Sequence, residues 1–214
     1  FINLSKPDAA QIKFLNTGFG FSMLNLEDYL YKTQIPKIEV YKGYSLLVLD
    51  MPYIQQSVRN AATDAQKQAL LSGKLFSSFP KSVKRKRIAL GEVDFFIGKD
   101  YLVVLHDERT PQINEIFTLC ESSKEHREDF MGQGAPFLFY RIADILVDAS
   151  FAYVEDITNT IDSIDRQLEE KSSSAVIEDI SITRRNIVVF ETMIKPTLPI
   201  FADLEKGKYP QLNG

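Results

Sequence analysis

Two long helical segments near the C-terminus constrain the fold of this chain more than any other feature. The first covers residues 136 to about 171 and the second residues 175 to about 206, with three serines between them. A helix of roughly 35 residues is about 50 Å long. Helices in globular proteins usually have about 8–20 residues, so this helix is unusually long. Two such helices joined by a serine turn predict an antiparallel hairpin that protrudes from the rest of the molecule.

The apolar residues of the two segments recur at steps of three or four, which is the spacing of a helix–helix seam. In the first segment these residues are Tyr153, Ile157, Ile161, Ile164 and Leu168. In the second segment they are Ile180, Thr183, Ile187, Phe190 and Ile194. We expect the two sets to face each other along the hairpin.

The first 108 residues alternate between short strand-like and short helix-like stretches. Apolar alternation predicts strands at 1–4, 36–41, 44–51, 87–97 and 101–106, and helical spacing predicts helices at 7–16 and 23–30. The Lys42-Gly43 pair predicts a tight turn between two of the strands. A further helix is predicted at 112–124, followed by a polar stretch at 125–129. Residues 55–82 are small and polar, and we interpret them as an inserted loop.

Composition and charge exclude several classes of protein. The chain has 214 residues and a formal net charge of −4, which argues against a general nucleic-acid binder because neutralising phosphates requires an excess of Lys and Arg. The single Cys120 excludes an internal disulfide and suits a reducing compartment. No stretch approaches the ~20 apolar residues that cross a bilayer, and no signal peptide is present, so we expect the chain alone to be soluble. Because it lacks an initiating Met, we interpret it as part of a longer protein.

An acidic stripe marks the first long helix. Asp148, Glu155, Asp162 and Glu169 recur every seven residues, which places them on one helix face, called here the acidic face. One interpretation is a solvated surface opposite the apolar seam. The other is a surface that attracts hydrated cations or a basic partner.

A second acidic feature is the Glu27-Asp28 pair in the helix predicted at 23–30. One interpretation is a pair that caps or solubilises a short helix. The other is a ligand for a hard cation, because Mg²⁺ prefers oxygen ligands, keeps several waters and needs only one or two carboxylates. A site at Asp28 would then require a partner from another segment or subunit.

The sequence signatures of common enzyme classes are missing. We find no phosphate-binding loop, no dinucleotide-binding glycine pattern and no zinc-ligand spacing. His106-Asp107 and Ser123 are too loosely spaced to indicate a catalytic triad. A magnesium-dependent hydrolase using the acidic face is disfavoured, because evenly spaced carboxylates lack a pocket and a base. We therefore expect no enzymatic activity.

Four blocks of the sequence, taken in order, resemble one protein family. The first is Leu-Glu-Asp-Tyr-Leu at 26–30 with Pro-Lys-Ile-Glu-Val-Tyr at 36–41 and the strand at 44–50, and the second is the predicted hairpin at 92–103. The third covers 138–162 and the fourth 184–196. On these blocks, which cover nearly the whole chain, the sequence resembles the cytoplasmic N-terminal domain of the CorA family of divalent-cation transporters.

The resemblance implies a fold and an assembly. The fold is α+β, an α/β/α sandwich whose central mixed β-sheet is flanked by helices and which carries the two long antiparallel helices. Residues 1–134 would form the body, 135–206 the hairpin packed on it, and 207–214 a tail leading to a stalk helix that this sequence lacks. Full-length members are homopentamers with C-terminal membrane spans, also lacking here. We expect the separate domain to be monomeric or weakly associated and to lie on the cytoplasmic side of the cell (inner) membrane.

The resemblance also implies a function and a site. The chain would be the metal-sensing, regulatory domain of a magnesium or cobalt transporter, with Mg²⁺, Co²⁺ or another divalent cation as its ligand. Asp28 matches the aspartate that helps to bind a cation between protomers, with Glu27 beside it, and the bound cation favours the closed channel. Two alternatives stay open: a zinc-transporting relative of the same superfamily, and a stand-alone soluble interaction protein that uses the acidic hairpin.

Overall fold

The computed structural model describes residues 1–31, 34–55, 86–170 and 174–212, which form a mixed five-stranded β-sheet with helices. The strands are β1 (Ile2–Ser5), β2 (Lys37–Val40), β3 (Tyr44–Gln55), β4 (Arg87–Gly98) and β5 (Leu102–His106). Their order across the sheet is β1-β5-β4-β3-β2, with β1 parallel to β5 and the other neighbouring pairs antiparallel. Residues 56–82 of the segment interpreted as an inserted loop lie outside the described residues.

The helices occupy most of the remaining described chain. They are α1 (Ala9–Phe19), α2 (Met23–Tyr31), α3 (Pro111–Ser122), α4 (Lys124–Met131), α5 (Ala135–Glu170) and α6 (Ser174–Glu205), with a 3-10 turn at Pro210–Leu212. α1 begins at a capping box, in which the side chains of Asp8 and Gln11 each accept a hydrogen bond from the other's backbone N–H. It ends at Gly20, whose φ of 71° lies in the left-handed region that favours glycine.

The polar stretch at 125–129 lies in a helix of its own, α4, which is separate from the helix that precedes it. Ser123 has an extended backbone, which ends α3, and its hydroxyl accepts a hydrogen bond from the His126 N–H at 3.3 Å. A serine cap and an acidic residue in the first turn, here Glu125, both stabilise a helix start. Phe130 then anchors α4 in the core. These contacts stabilise α4 although most of its residues are polar.

Alternation along the strands gives the sheet two apolar faces. On one face Leu47, Leu49 and Phe95 pack against α3, α4, α5 and α6. On the other face Leu46 and Val48 pack against α1 and α2. The three layers confirm the predicted α+β class, an α/β/α sandwich with a central mixed sheet.

The two long helices at the C-terminus are confirmed, with 36 residues in α5 and 32 in α6. Leu146 of α5 and Ile200 of α6 pack in the apolar cluster between the sheet and helices α3 to α6, which is called here the main core. Farther along, a separate cluster joins both helices to β4; its buried members are Ile88, Tyr153, Ile157, Phe190 and Met193. Leu212, in the segment predicted as a tail, also packs in the main core. The division of the chain at residues 134 and 206 stays a prediction.

Candidate cation site

α2 carries the Leu-Glu-Asp motif at the surface of the sandwich. Asn25, Leu26 and Tyr29 are buried and fix the orientation of the helix on the sheet. Because successive helical residues are about 100° apart, the positions between Leu26 and Tyr29 turn away from the sheet. Glu27 is accordingly exposed and Asp28 is half-buried. Asp28 thus lies at the boundary between the core and the solvent.

A run of exposed apolar side chains accompanies this motif along α2, β2 and the chain between them. They are Met23, Leu24, Leu30, Tyr31, Ile35 and Val40, with exposed fractions from 44% to 76%. Together with Glu27 and Asp28 they are called here the α2 surface. Single exposed apolar side chains are common, but a group of them indicates a surface that another protein segment covers.

The α2 surface fits part of a magnesium site. Among the described residues neither the Glu27 nor the Asp28 side chain has a hydrogen bond or an ion pair. Mg²⁺ is bound through one or two carboxylates and keeps several of its waters. In the described part of the chain no three His, Cys, Asp or Glu side chains converge to hold a metal ion. The remaining protein ligands of such a site would therefore have to come from another chain or segment.

The acidic face of α5 is exposed along its whole length. Asp148, Glu155, Asp162 and Glu169 are all solvent-exposed. Seven residues of helix correspond to about 10 Å, whereas Mg²⁺–oxygen distances are about 2.1 Å. These four carboxylates therefore share one surface but cannot share one ion.

A pair of carboxylates that the sequence does not single out lies beneath α2. Glu92 and Asp94 belong to β4 and are 8% and 0% exposed. Both accept a hydrogen bond from the Gln34 side chain, whose Nε2 lies 3.3 Å from Glu92 Oε1 and 3.0 Å from Asp94 Oδ2. Burial, and then the Glu92 charge, raise the pKa of the Asp94 carboxyl well above its ordinary value. The signal in the sequence is two acidic residues, spaced for one strand face, in an otherwise apolar strand.

The Tyr29 hydroxyl of α2 belongs to the same environment. Burial raises its pKa, and the negative charges of Asp94, Asp107 and Glu92 raise it further. The hydroxyl therefore stays protonated at physiological pH. α2 consequently presents carboxylates to the solvent and a neutral phenol to the acidic groups of the sheet.

His106 and Ser123, the residues weighed as parts of a triad, have separate structural contacts. The His106 ring nitrogens contact the Asp107 carbonyl oxygen at 2.6 Å and Asn3 Oδ1 at 2.8 Å, and burial lowers the His106 pKa. Ser123 caps α4. The imidazole therefore links β1 to the end of β5, while the serine hydroxyl is engaged at a helix terminus.

The comparison with protein families decides what kind of protein this is. A family model described as "CorA-like Mg2+ transporter protein" matches residues 1–213. The chain belongs to the CorA family. Within the described residues of this CorA-family chain, no helix combines the length and the apolar character that crossing a bilayer requires.

Two curated CorA-type relatives are each 21% identical to this chain. One is "Putative metal ion transporter YfjQ" of Bacillus subtilis, aligned over 92% of this chain and 50% of its own length. The other is "Cobalt/magnesium transport protein CorA" of Thermotoga maritima, aligned over 90% of this chain and 46% of its own length. The chain thus spans about half the length of the curated relatives that it matches.

Solved structures share the fold of this CorA-family chain. The soluble domain of CorA from Methanocaldococcus jannaschii has a TM-score of 0.65 at 18% identity, covering 94% of this chain and 68% of that domain. The full-length CmaX protein has a TM-score of 0.67 at 13% identity, covering 98% of this chain and 55% of CmaX. At these identities the likeness concerns the fold alone.

Proposed function

We propose that this chain is the cytoplasmic metal-sensing domain of a CorA-type magnesium or cobalt transporter, and that a divalent cation bound at Asp28 between neighbouring protomers favours the closed channel. The observation that carries this proposal is the environment of Asp28, a half-buried carboxylate amid the exposed apolar side chains of the α2 surface. Burying that surface against a neighbour would bring Asp28 to a carboxylate of another protomer. The names of the family and of the Thermotoga maritima relative support Mg²⁺ and Co²⁺ as the transported ions.

Electrostatics gives the mechanism of this response. Two carboxylates 4 Å apart repel each other by about 4 kcal/mol at an effective dielectric constant near 20. A divalent cation between them turns this repulsion into attraction. If each of five interfaces in a pentamer gains about 1 kcal/mol, the sum approaches the ~5.5 kcal/mol that moves an equilibrium from 1:99 to 99:1. High cytoplasmic magnesium would close the channel and low magnesium would release it.

The acidic face of α5 has an auxiliary part in this proposal. Its exposed carboxylates, Asp148, Glu155, Asp162 and Glu169, are too far apart to chelate one ion, so they act through their summed field. An acidic surface raises the local concentration of hydrated cations, and salt screens the effect over about 8–10 Å. The same surface would suit a basic protein partner if the chain acts as a stand-alone interaction protein.

The proposal is tested by changing Asp28 in the full-length transporter that contains this domain. In liposomes, we expect Asp28→Asn to raise the Mg²⁺ concentration for half-maximal closure by about fivefold, the equivalent of about 1 kcal/mol. Glu27→Gln should cause a smaller shift, since Glu27 is the more exposed of the two. Asp129→Asn is the matched control, because Asp129 is an exposed aspartate on α4.

The outcomes separate the candidate functions. Magnesium-dependent closure that is unchanged in Asp28→Asn would contradict the regulatory role of this residue. Flux of Zn²⁺ but not Mg²⁺ in the same liposomes would favour the zinc-transporting relative. A gene that encodes no membrane-spanning segments would favour the stand-alone interaction protein.

A further inference from the structure

The Glu92–Asp94 pair beneath α2 has no part in the proposed cation site. The two residues are separated by one position in β4, so both side chains point to the same face of the sheet. That face is the one covered by α1 and α2, since Phe96, the next residue on it, packs in their core. Asp94 is fully buried and Glu92 almost so. Two carboxylates are therefore held together where water cannot solvate both.

One oxygen of the buried Asp94 carboxylate lacks a hydrogen-bond donor among the described residues. Gln34 Nε2 donates to one oxygen of each carboxylate. Asp94 Oδ1 is buried and has no hydrogen-bond partner among the described residues. A buried anionic oxygen without a donor is costly, whereas a protonated carboxyl group is itself a donor. Glu92 lies within hydrogen-bond reach of Asp94 and would accept from that O–H group.

Charged and titratable groups face the pair from each neighbouring element. Tyr29 comes from α2, Lys37 from β2 and Asp107 from the end of β5, and Asp50 of β3 is paired with Glu92 across the sheet. Burial raises the pKa of the Asp50 carboxyl as well. Lys37 lowers the pKa of Asp94, but burial and the Glu92 charge outweigh it. The surroundings therefore favour a protonated Asp94 carboxyl group beside Glu92.

We propose that Glu92 and Asp94 form a binding site for one proton, which their carboxylates share, and that Gln34 couples this proton to the chain between α2 and β2. Gln34 follows the helix that carries Glu27 and Asp28 and hydrogen-bonds to both members of the pair. Loss of the proton would place a second buried negative charge beside the Gln34 side chain. Any effect of pH on the cation response at Asp28 rests on the proposed function, but the proton site itself does not.

The proton site is tested by titrating side-chain carboxyl carbons by ¹³C NMR, using the 214-residue chain without divalent cations. We expect the pair to titrate in two steps, one of them well above the ordinary range of about 3.9–4.3 for Asp and Glu. Glu92→Gln should move the upper step down, because it removes the like charge. Gln34→Leu should move it up, because it removes a donor to the ionised form. Two carboxyl groups that titrate in the ordinary range would overturn the proposal, as would shifts of equal sign in both variants.

The stability of the chain gives a second readout. A carboxyl group whose pKa is raised on folding stabilises the native state below its unfolded pKa, and this contribution is lost as the pH rises through the folded pKa. Between the unfolded and the folded pKa the native state keeps a proton that the unfolded chain has lost, so the unfolding constant of the wild type should rise by up to about tenfold per pH unit in that range. Asp94→Asn holds that position neutral, so its unfolding constant should rise less steeply.

The control for this measurement is Asp100→Asn in the exposed turn between β4 and β5, which should follow the wild type. An Asp94→Asn slope equal to that of the control would overturn the proposal. If Asp94→Asn does not fold, Glu92→Gln serves in the same comparison, since it also removes the second charge. If Asp28→Asn leaves magnesium-dependent closure unchanged, the NMR titration and the pH dependence of unfolding are unaffected. The two proposals can therefore be rejected independently.

Discussion

At the level of single residues, Asn186 fixes the position of α6 on the sheet. β5 pairs only with Val93–Ile97 of β4, so the first half of β4 has no described strand on that side. Asn186 Oδ1 accepts a hydrogen bond from the Ile88 N–H at 2.9 Å, and its Nδ2 donates to the Lys86 carbonyl oxygen at 3.0 Å. The carboxamide therefore takes the place of a strand partner for two backbone groups that would otherwise lack one.

This role predicts a loss of stability when the carboxamide is removed. We expect Asn186→Ala to lower the free energy of unfolding by about 1–3 kcal/mol, because the Ile88 N–H is buried and would lose its acceptor. Urea denaturation monitored by circular dichroism measures the change. Asn159→Ala, at an exposed position of α5, is the control and should stay within about 0.5 kcal/mol of the wild type. Equal losses in the two variants would contradict the role assigned to Asn186.

At the level of elements, the seam of the hairpin departs from the one predicted from the sequence. In α5 the prediction is right for Tyr153, Ile157 and Ile164 and wrong for Ile161 and Leu168, which are 38% and 46% exposed. In α6 it is right for Thr183 and Phe190 and wrong for Ile180, Ile187 and Ile194, which are 40–44% exposed. The buried positions of α6 are Val176, Asp179, Thr183, Asn186, Phe190 and Met193.

The reason for the difference is that the seam of α6 contains polar residues. An apolar pattern favours Ile180 and Ile187 over their neighbours Asp179 and Asn186, because unpaired polar groups are costly to bury. In the structure the buried polar groups of α6 have partners: the Asn186 carboxamide bonds to β4, and the Thr183 hydroxyl donates to the main-chain carbonyl oxygen of Asp179 at 2.7 Å. Contacts between segments that are distant in the sequence decide which residues of α6 are buried. The apolar periodicity of a single helix carries no information about such contacts.

The observed register predicts unequal effects for two large apolar side chains of α6. Phe190 is 5% exposed and packs in the cluster of Ile88 and Tyr153, whereas Ile187 is 44% exposed. We expect Phe190→Ala to cost about 3–5 kcal/mol of unfolding free energy, as for other buried aromatic residues. Ile187→Ala, the matched comparison on the same helix, should cost well under half as much. Similar losses in urea denaturation would instead support the seam predicted from the sequence.

At the level of the whole molecule, the sequence predicts the sandwich well and the candidate site only in part. Alternation in β3 and β4 and the helical spacing of α5 each repeat over many residues, so the layers can be predicted from local pattern. The motif around Glu27 and Asp28 predicts them as cation ligands, and this stays a prediction. Glu92 and Asp94 are not predicted from the sequence, because an acidic residue in a strand normally indicates a solvent-facing position, and the burial of this pair depends on how the helices pack over the sheet.

Whether separate copies of the domain associate depends on the residues that the α2 surface exposes. The α2 surface combines exposed apolar side chains, which favour contact with a neighbour, with the carboxylates Glu27 and Asp28, which oppose it. Without divalent cations the repulsion between carboxylates of adjoining protomers, about 4 kcal/mol for one pair at 4 Å, should keep the separate chain monomeric. On the proposed function, added Mg²⁺ should remove that repulsion and leave the apolar contact.

We therefore expect light scattering to report a monomer in EDTA and weak, reversible association in millimolar Mg²⁺. On the proposed function, Asp28→Asn weakens the repulsion and removes a cation ligand, so its association should depend less on Mg²⁺ than that of the wild type. Asp129→Asn lies outside the α2 surface and should keep the response of the wild type. A stable pentamer in EDTA would show that assembly does not require the cation. A mass that ignores Mg²⁺ in the wild type would show that the α2 surface alone cannot bring protomers together.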